Sequence, residues 1–470
     1  MAVSTKTKKT PAKKAPSKTA SPAVGKGQVD DQAGLANGVT VRMYRQGLGD
    51  CFLVTIPRDH ADPFRLLIDC GVILGTQDAS TKIGNVVQNL HDEVGGHLDL
   101  LVATHEHWDH LSGFVQAKDL FDSFTIDQVW LGWTESDDPL AKTLRAEYQS
   151  MRMALGVAQQ RASLAGDDDT AAEVGSMLEF FGATGGNSTG AALDNVKNFS
   201  KQVRFCYPTD APVTLPGTSV RAYVLGPPHD EAAIKRLNPS AAHPETYGMT
   251  AQQVFLAAMQ PALSDNREGD PLDSILQIPM PYAEQLPFFQ QHYFGEDLSS
   301  VDPDQAWRRI DGDWLGSASD LALQLDSATN NTSLVIALEM ESGEVLLFAA
   351  DAQVGNWLSW QDLSWTVNGK QVIGPELLSR AVLYKVGHHG SHNATLRDEG
   401  LEEMTQLRVA MIPVDHDMAL KKRWGAMPFD ALMKRLSQVA KDAVLRIDQP
   451  LPPGTQADIK EDPLYFEARF

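Results

Sequence analysis

Three imidazoles and two carboxylates fall within seven residues in Thr104-His105-Glu106-His107-Trp108-Asp109-His110, and the apolar run Leu98-Asp99-Leu100-Leu101-Val102-Ala103 leads directly into them. Neutral imidazole and carboxylate oxygen suit a borderline divalent ion, and histidines two positions apart reach one ion where a chain turns on leaving a sheet. Asp109 and His110 leave that turn in another direction and offer a second ion its first ligands. Two neighbouring ions make a hydrolytic arrangement. With only 13 histidines in 470 residues, a polar loop that collects three of them by chance is the weaker explanation.

Such a site needs ligands from the ends of other strands. Asp351 follows Val345-Leu346-Leu347-Phe348-Ala349-Ala350, where a carboxylate can give one oxygen to each ion; the competing role is a cap on a helix beginning near Val354. His388 follows Leu383-Tyr384-Lys385-Val386-Gly387 and opens His388-His389-Gly390-Ser391-His392, in which Gly390 lets the backbone bend or approach a ligand. One of His388 and His389 is expected to bind metal, His388 by preference because it comes first after the strand. His389, Ser391 and His392 would then face substrate.

The elements that must position these residues can be read from periodicity. Alternating or apolar runs predict strands over Val39–Arg45, Cys51–Ile56 and Arg65–Asp69, a helix over Lys82–His91, the strand that feeds the metal loop, a helix from about Leu111, and a strand over Ile126–Leu131. Residues 134–201 shift to Ala, Gln, Glu, Arg and Met and predict an insertion of two or three helices. Strands return at Gln202–Cys206 and Ser219–Leu225. Residues 230–326 are the least regular and predict a second insertion or lid. The pattern resumes with strands at Ser333–Leu338, Glu344–Ala349, Ala381–Val386 and Arg408–Val414, a helix at Pro428–Val439, and strands at Ala443–Ile447 and Leu464–Phe470. Strands thus recur in two blocks, 39–131 and 333–447, and two sheets covered by helices would make an αββα sandwich of mixed α/β (α+β) class.

Composition bounds the rest. A hydrophobic fraction of 43% and nine tryptophans support a large core, and no apolar run approaches the about 18 to 20 residues of a membrane span. With no apolar leader either, a cytoplasmic protein is expected. Cys51, Cys70 and Cys206 are too few for a disulfide framework and read as reduced thiols. The net charge is −21, yet seven lysines and no acids lie between Met1 and Gln28, so a basic tail (residues 1–36), expected to be disordered, precedes a still more acidic body (residues 37–470). That tail is a solubilising leader or a weak, salt-sensitive contact for nucleic acid.

The pattern His105-x-His107-x-Asp109-His110 with the later Asp351 and His388 resembles the metallo-β-lactamase fold superfamily. Gly47-x-Gly49-Asp50, Leu67-Ile68-Asp69-x-Gly71, Asn330-Asn331-x-Ser333-Leu334-Val335 and Lys385-Val386-x-His388-His389-Gly390-Ser391 are similar to the soluble hydrolase domain of ComEC-like competence proteins. The resemblance spans most of the chain from Val39 to Ile447, apart from the two insertions. It implies two divalent ions, zinc first and manganese as the alternative: His105 and His107 on one, Asp109, His110 and His388 on the other, Asp351 on both, and Asp69 bonded to the metal loop behind them. Relatives often add a further histidine, for which His229 is the candidate. Asp109 and His389 are the expected catalytic groups. Two departures stand out: Ala350 precedes Asp351 where relatives have glycine, and Gly425-Ala426-Met427-Pro428 lacks the histidine of a Gly-His-Pro motif. ComEC-like channels also have membrane segments, so a role in DNA uptake does not follow.

The expected activity is hydrolysis of phosphodiesters, in nucleic acid or nucleotides. Esters, thioesters or lactones are the alternative substrates, and a metal-stabilised binding module whose insertions block the site is the alternative without catalysis.

Overall fold

A computed structural model describes residues 1, 38–165, 168–182, 188–237, 280–283, 285–294, 313–391, 395–422, 424, 427–455 and 458–470. The basic tail, most of the second insertion, His392, Gly425 and Ala426 lie outside them. Residues from Gly38 onward form one compact unit.

The strands are β1 (Thr40–Tyr44), β2 (Phe52–Arg58), β3 (Ala61–Ile68), β4 (His97–Ala103), β5 (Thr125–Gly132), β6 (Val203–Cys206), β7 (Val213–Thr214), β8 (Arg221–Gly226), β9 (Val335–Glu339), β10 (Val345–Phe348), β11 (Ser364–Val367), β12 (Lys370–Ile373), β13 (Ala381–Lys385), β14 (Val409–Ile412), β15 (Ala443–Arg446), β16 (Ile459–Glu461) and β17 (Tyr465–Arg469). One sheet has the order β16-β17-β1-β2-β3-β4-β5-β6 and the other β15-β14-β13-β10-β9-β8-β7, with β11 and β12 a separate hairpin. Both sheets are mixed: β3 to β6 run parallel, as do β10, β13, β14 and β15, while the remaining pairs are antiparallel.

Strand β4 explains why the sequence around it is a run instead of an alternation. Leu100 and Val102 enter an apolar core shared with Ile336, Leu346 and Leu383 of the other sheet, while Leu98, Leu101 and Ala103 pack outward against α1 (Ala79–Val94) through Ile83, Val87 and Leu90. A strand buried on both faces has no polar side to show. Strand β10 is built alike, with Leu346 and Phe348 turned to the shared core and Val345 and Leu347 to the outer face. Phe52 and Phe348 meet edge-on across the two sheets, ring centroids 6.0 Å apart.

Helices α2 (Pro139–Ala165), α3 (Asp168–Leu178) and α4 (Thr189–Asn198) occupy the first predicted insertion, and α5 (Asp313–Asn330) ends the second. Helices α2, α3 and α5 pack on one another and cover the outer face of the second sheet. The single helix expected from Leu111 is instead three short turns, Trp108–Leu111, Gly113–Gln116 and Lys118–Phe121. The first opens inside the histidine motif itself, so Asp109 and His110 are helical residues. The short strands β7, β11, β12 and β16 carry too few residues for a periodic signal, and the sequence did not reveal them.

Candidate metal centre

The chemistry-bearing loops meet at the carboxyl ends of β3, β4, β10 and β13, the usual place for a ligand in sheets with parallel strands. Asp69 follows β3, the histidine motif follows β4, Asp351 follows β10, and His388 and His389 follow β13. Asp50 joins them from the turn between β1 and β2. A backbone bond from Leu334 N–H to Thr104 C=O, 2.9 Å, ties the two sheets beside the motif.

Asp50, His110, Asp351 and His389 form a fully buried group whose ligand atoms lie within 4.8 Å of one another. Hydrogen bonds fix which imidazole nitrogen each histidine offers. His110 Nδ1 is 2.7 Å from Asp69 Oδ2 and donates its proton there, which turns Nε2 toward the group, 3.2 Å from Asp351 Oδ2 without hydrogen-bond alignment. Asp69 is itself held by Thr104 N–H (2.8 Å) and the Thr104 hydroxyl (2.6 Å). Carboxylate behind histidine in this way is the usual support of a metal-binding imidazole. His389 donates through Nδ1 to the Pro413 carbonyl at 2.9 Å, so its Nε2, 2.8 Å from Asp109 Oδ2 and 3.6 Å from Asp351 Oδ2, is the end that faces the group.

His105 and His107 lie beside this group, joined Nε2 to Nδ1 at 3.1 Å. His105 Nδ1 rests on the Thr104 hydroxyl at 3.1 Å, and its Nε2 is 3.1 Å from Asn330 Oδ1. His107 is covered by the rings of Phe180 and Phe181, with centroids 5.0 and 5.2 Å away. His388 takes a different direction from His389: its Nε2 is 3.4 Å from Asn330 Nδ2, on the His105 side. Both residues have positive φ, 40° and 53°, so the chain reverses between them and adjacent side chains diverge. The sequence placed His388 with Asp109 and His110; in the structure His389 stands there.

The remaining expectations also find definite places. Asp351 does not cap the following helix, whose N-cap is Gln353; its Oδ1 accepts from Lys385 Nζ and His388 N–H, both at 3.1 Å. His229 bonds Asp138 at 3.1 Å and packs edge-on against Trp133 and Tyr207, where it belongs to a separate surface cluster. Sequence reasoning missed Asp50 and Lys385. Both stood in quoted motifs, but only the fold brings them together, with Lys385 Nζ 2.6 Å from Asp50 Oδ2. Ser391 is buried at the end of the His388 turn.

Electrostatics divides the histidines. Burial pushes His105 well down, His107 to about 3 and His388 to about 4, so all three are neutral. Burial acts in the same sense on His110, but Asp351, Asp50, Asp69 and Asp109 outweigh it and hold that imidazolium well above the usual range. His389 is raised as well, because Asp351 and Asp109 overcome its burial. Burial alone would raise Asp351, but Lys385, His110 and His389 keep it well below the carboxylate range.

Several buried atoms are left with no hydrogen-bond partner: Asp50 Oδ1, His107 Nε2, Asp109 Oδ1, Asp326 Oδ1 and His388 Nδ1. Buried polar atoms without partners cost about 1–3 kcal/mol each, more when charged. Their types, imidazole nitrogen and carboxylate oxygen, are those of a zinc- or manganese-type donor set, so the residues fit the ions that the sequence implied.

Among the described residues no helix is long and apolar enough to cross a membrane. In comparisons with known proteins, no protein-family model matches this chain, and neither a curated protein nor a solved structure does.

Proposed function

We propose that this chain is a metal-dependent hydrolase of the metallo-β-lactamase αββα type, with a two-ion site that cleaves phosphodiesters. The observation that carries the reading is the buried group of imidazole and carboxylate atoms drawn from loops of both sheets, in which Asp50 Oδ1, His110 Nε2 and Asp351 Oδ2 have no hydrogen-bond partner. The order of its parts along the chain, histidine motif, strand-end Asp351, then His388-His389, supports the same reading.

Asp50, His110, Asp351 and His389 would hold one ion, and His105 and His107 would begin the other, with Asp351 near both. Ions bound there would make water a usable nucleophile near neutral pH and draw charge from the oxygens of a phosphodiester. The chain's own groups do the rest. Lys385 keeps Asp351 ionised and fixes its Oδ1, which leaves Oδ2 directed into the site. Asp69 and Pro413 hold His110 and His389 in one tautomer. Asp109, whose Oδ2 lies 2.8 Å from His389 Nε2, is the group that can take a proton once His389 is given to the ion, and release it to a leaving oxygen. Phe180 and Phe181 exclude water on the His107 side.

The test pairs metal content, read by elemental mass spectrometry, with hydrolysis of bis(p-nitrophenyl) phosphate in wild type and Asp351→Ala. Near two ions per chain and turnover that Asp351→Ala loses are expected. Unchanged metal content and turnover in the variant would overturn the reading. Turnover of thioester or lactone substrates in place of the phosphodiester would keep the site and change the substrate.

A further inference from the structure

Helices α2 and α3 pack together beside the metal centre, and with Lys421 and Lys422 they line a cavity of about 790 Å³. That volume lies within the about 300–1,000 Å³ of sites for small organic ligands. Phe181 lines the cavity and also packs edge-on against His107, with ring centroids 5.2 Å apart. One aromatic ring therefore stands between the cavity and the histidine motif.

The charge of the cavity runs against that of the whole molecule. In a chain of net charge −21, the described lining carries Arg152, Lys421 and Lys422 against a single carboxylate, Glu179. Arg152 is held by Glu106, which is not part of the lining, at 2.9 and 3.1 Å, and it lies over the Phe181 ring, 4.5 Å from the centroid. Lys422 meets Glu179. Lys421 is exposed and has no ion pair among the described residues.

The helices also give up local stability where they line the space. Gly156 lies inside α2 and Gly175 inside α3, positions where glycine is a poor helix former. A Cβ on Gly156 would meet nothing within 4 Å, whereas one on Gly175 would strike the Gln159 amide at the cavity wall. Residues that break a local rule in this way gather where a fold serves a ligand.

We propose that this cavity binds a phosphomonoester of nucleotide size, its phosphate on Lys421 and Lys422 and its body along Leu178 and Phe181. The lining has two positive charges in excess, which matches the charge of nearly −2 that a phosphomonoester carries near neutral pH. Lysine holds phosphate as a point charge, and the Ser176 hydroxyl and Gln159 amide add neutral donors at the wall. The binding needs no metal ion, so it stands or falls apart from the two-ion reading.

Isothermal titration calorimetry on the full chain tests it, as purified and again with chelator, with adenosine monophosphate, naphthyl phosphate and adenosine as probes. At least one of the two phosphomonoesters should bind at one per chain, equally with and without chelator, and adenosine should not bind. Lys421→Glu should weaken binding about tenfold or more, as for the loss of a hydrogen bond to a charged group. Gly156→Leu, which fills the space with a good helix former, should abolish it. Lys370→Glu, the same charge change at an exposed position outside the lining, should bind as wild type does. The proposal is overturned if neither phosphomonoester binds, if adenosine binds as tightly as its monophosphate, if binding survives both cavity variants, or if Lys370→Glu weakens it as much as Lys421→Glu. Binding that disappears with chelator also overturns it, because the phosphate then sits on the ions; that result would support the hydrolase reading while the cavity assignment falls.

Discussion

Ala350 is the residue at which the chain departs from its resemblance, and its backbone shows what glycine would do there. Its φ is 46°, a left-handed conformation that costs an L-residue roughly 1–2 kcal/mol and glycine little. Ala350→Gly should therefore leave stability unchanged or raise it by up to about 1 kcal/mol, after the entropy of the unfolded glycine is set against the relief; urea unfolding of the metal-free protein measures this. Lys385 is the opposite case. Its ammonium is fully buried between Asp50 and Asp351, and Lys385→Met would leave two carboxylates without their cation at a cost of about 3–5 kcal/mol. Metal ions should restore part of that loss, which thermal melts with and without zinc would show. Proton competition at His110 and His389 sets the pH dependence. The surrounding carboxylates raise the pKa of both, so a proton on Nε2 competes with metal for that nitrogen. Affinity should accordingly rise with pH, by about tenfold per unit for each proton displaced, and calorimetry in buffers of different ionisation enthalpy would count the protons. The motif His105 to His110 was legible in the sequence because its imidazoles and carboxylates are adjacent there. Asp50 and Lys385 were not, because their meaning lies in a contact between a turn and a strand more than three hundred residues apart.

At the scale of elements, the site depends on loops that touch backbone to backbone. A Cβ on Gly71 would lie 2.3 Å from the Asp109 carbonyl oxygen and 2.5 Å from His110 N, and one on Gly49 would lie 2.5 Å from the same oxygen. Gly71→Ala should push the Trp108–Leu111 turn off β3, lowering the melting temperature and any metal content measured for wild type, while the same change at Gly84, where a Cβ meets nothing, should leave metal content intact. The strands that hold these loops were readable from their apolar runs, and α1 from the spacing of Ile83, Val86, Val87 and Leu90. What periodicity could not give is the sheet in which each strand lies. β6 and β8 are separated by fifteen residues or so, yet β6 ends the first sheet and β8 lies in the second, a choice made by packing and not by local pattern.

For the whole molecule, charge and topology matter most. A net charge of −21 repels polyanions, and the repulsion weakens as salt shortens the about 10 Å screening length at 0.1 M. If the substrate is nucleic acid, kcat/KM should rise with moderate salt; for the singly charged bis(p-nitrophenyl) phosphate it should stay nearly flat. A fall with salt on nucleic acid would instead point to the lysine-rich tail as the contact. The topology bears on when a metal ion could be held. His389 and Asp109 are neighbours in space but 280 positions apart in the chain. During synthesis the His105–His110 motif therefore emerges long before Asp351 and His389 exist to join it. The complete set of donors forms only when the second sheet closes on the first, so an ion held there would be fixed by the nearly complete chain, and a ribosome stalled before His389 would release a product without the full set.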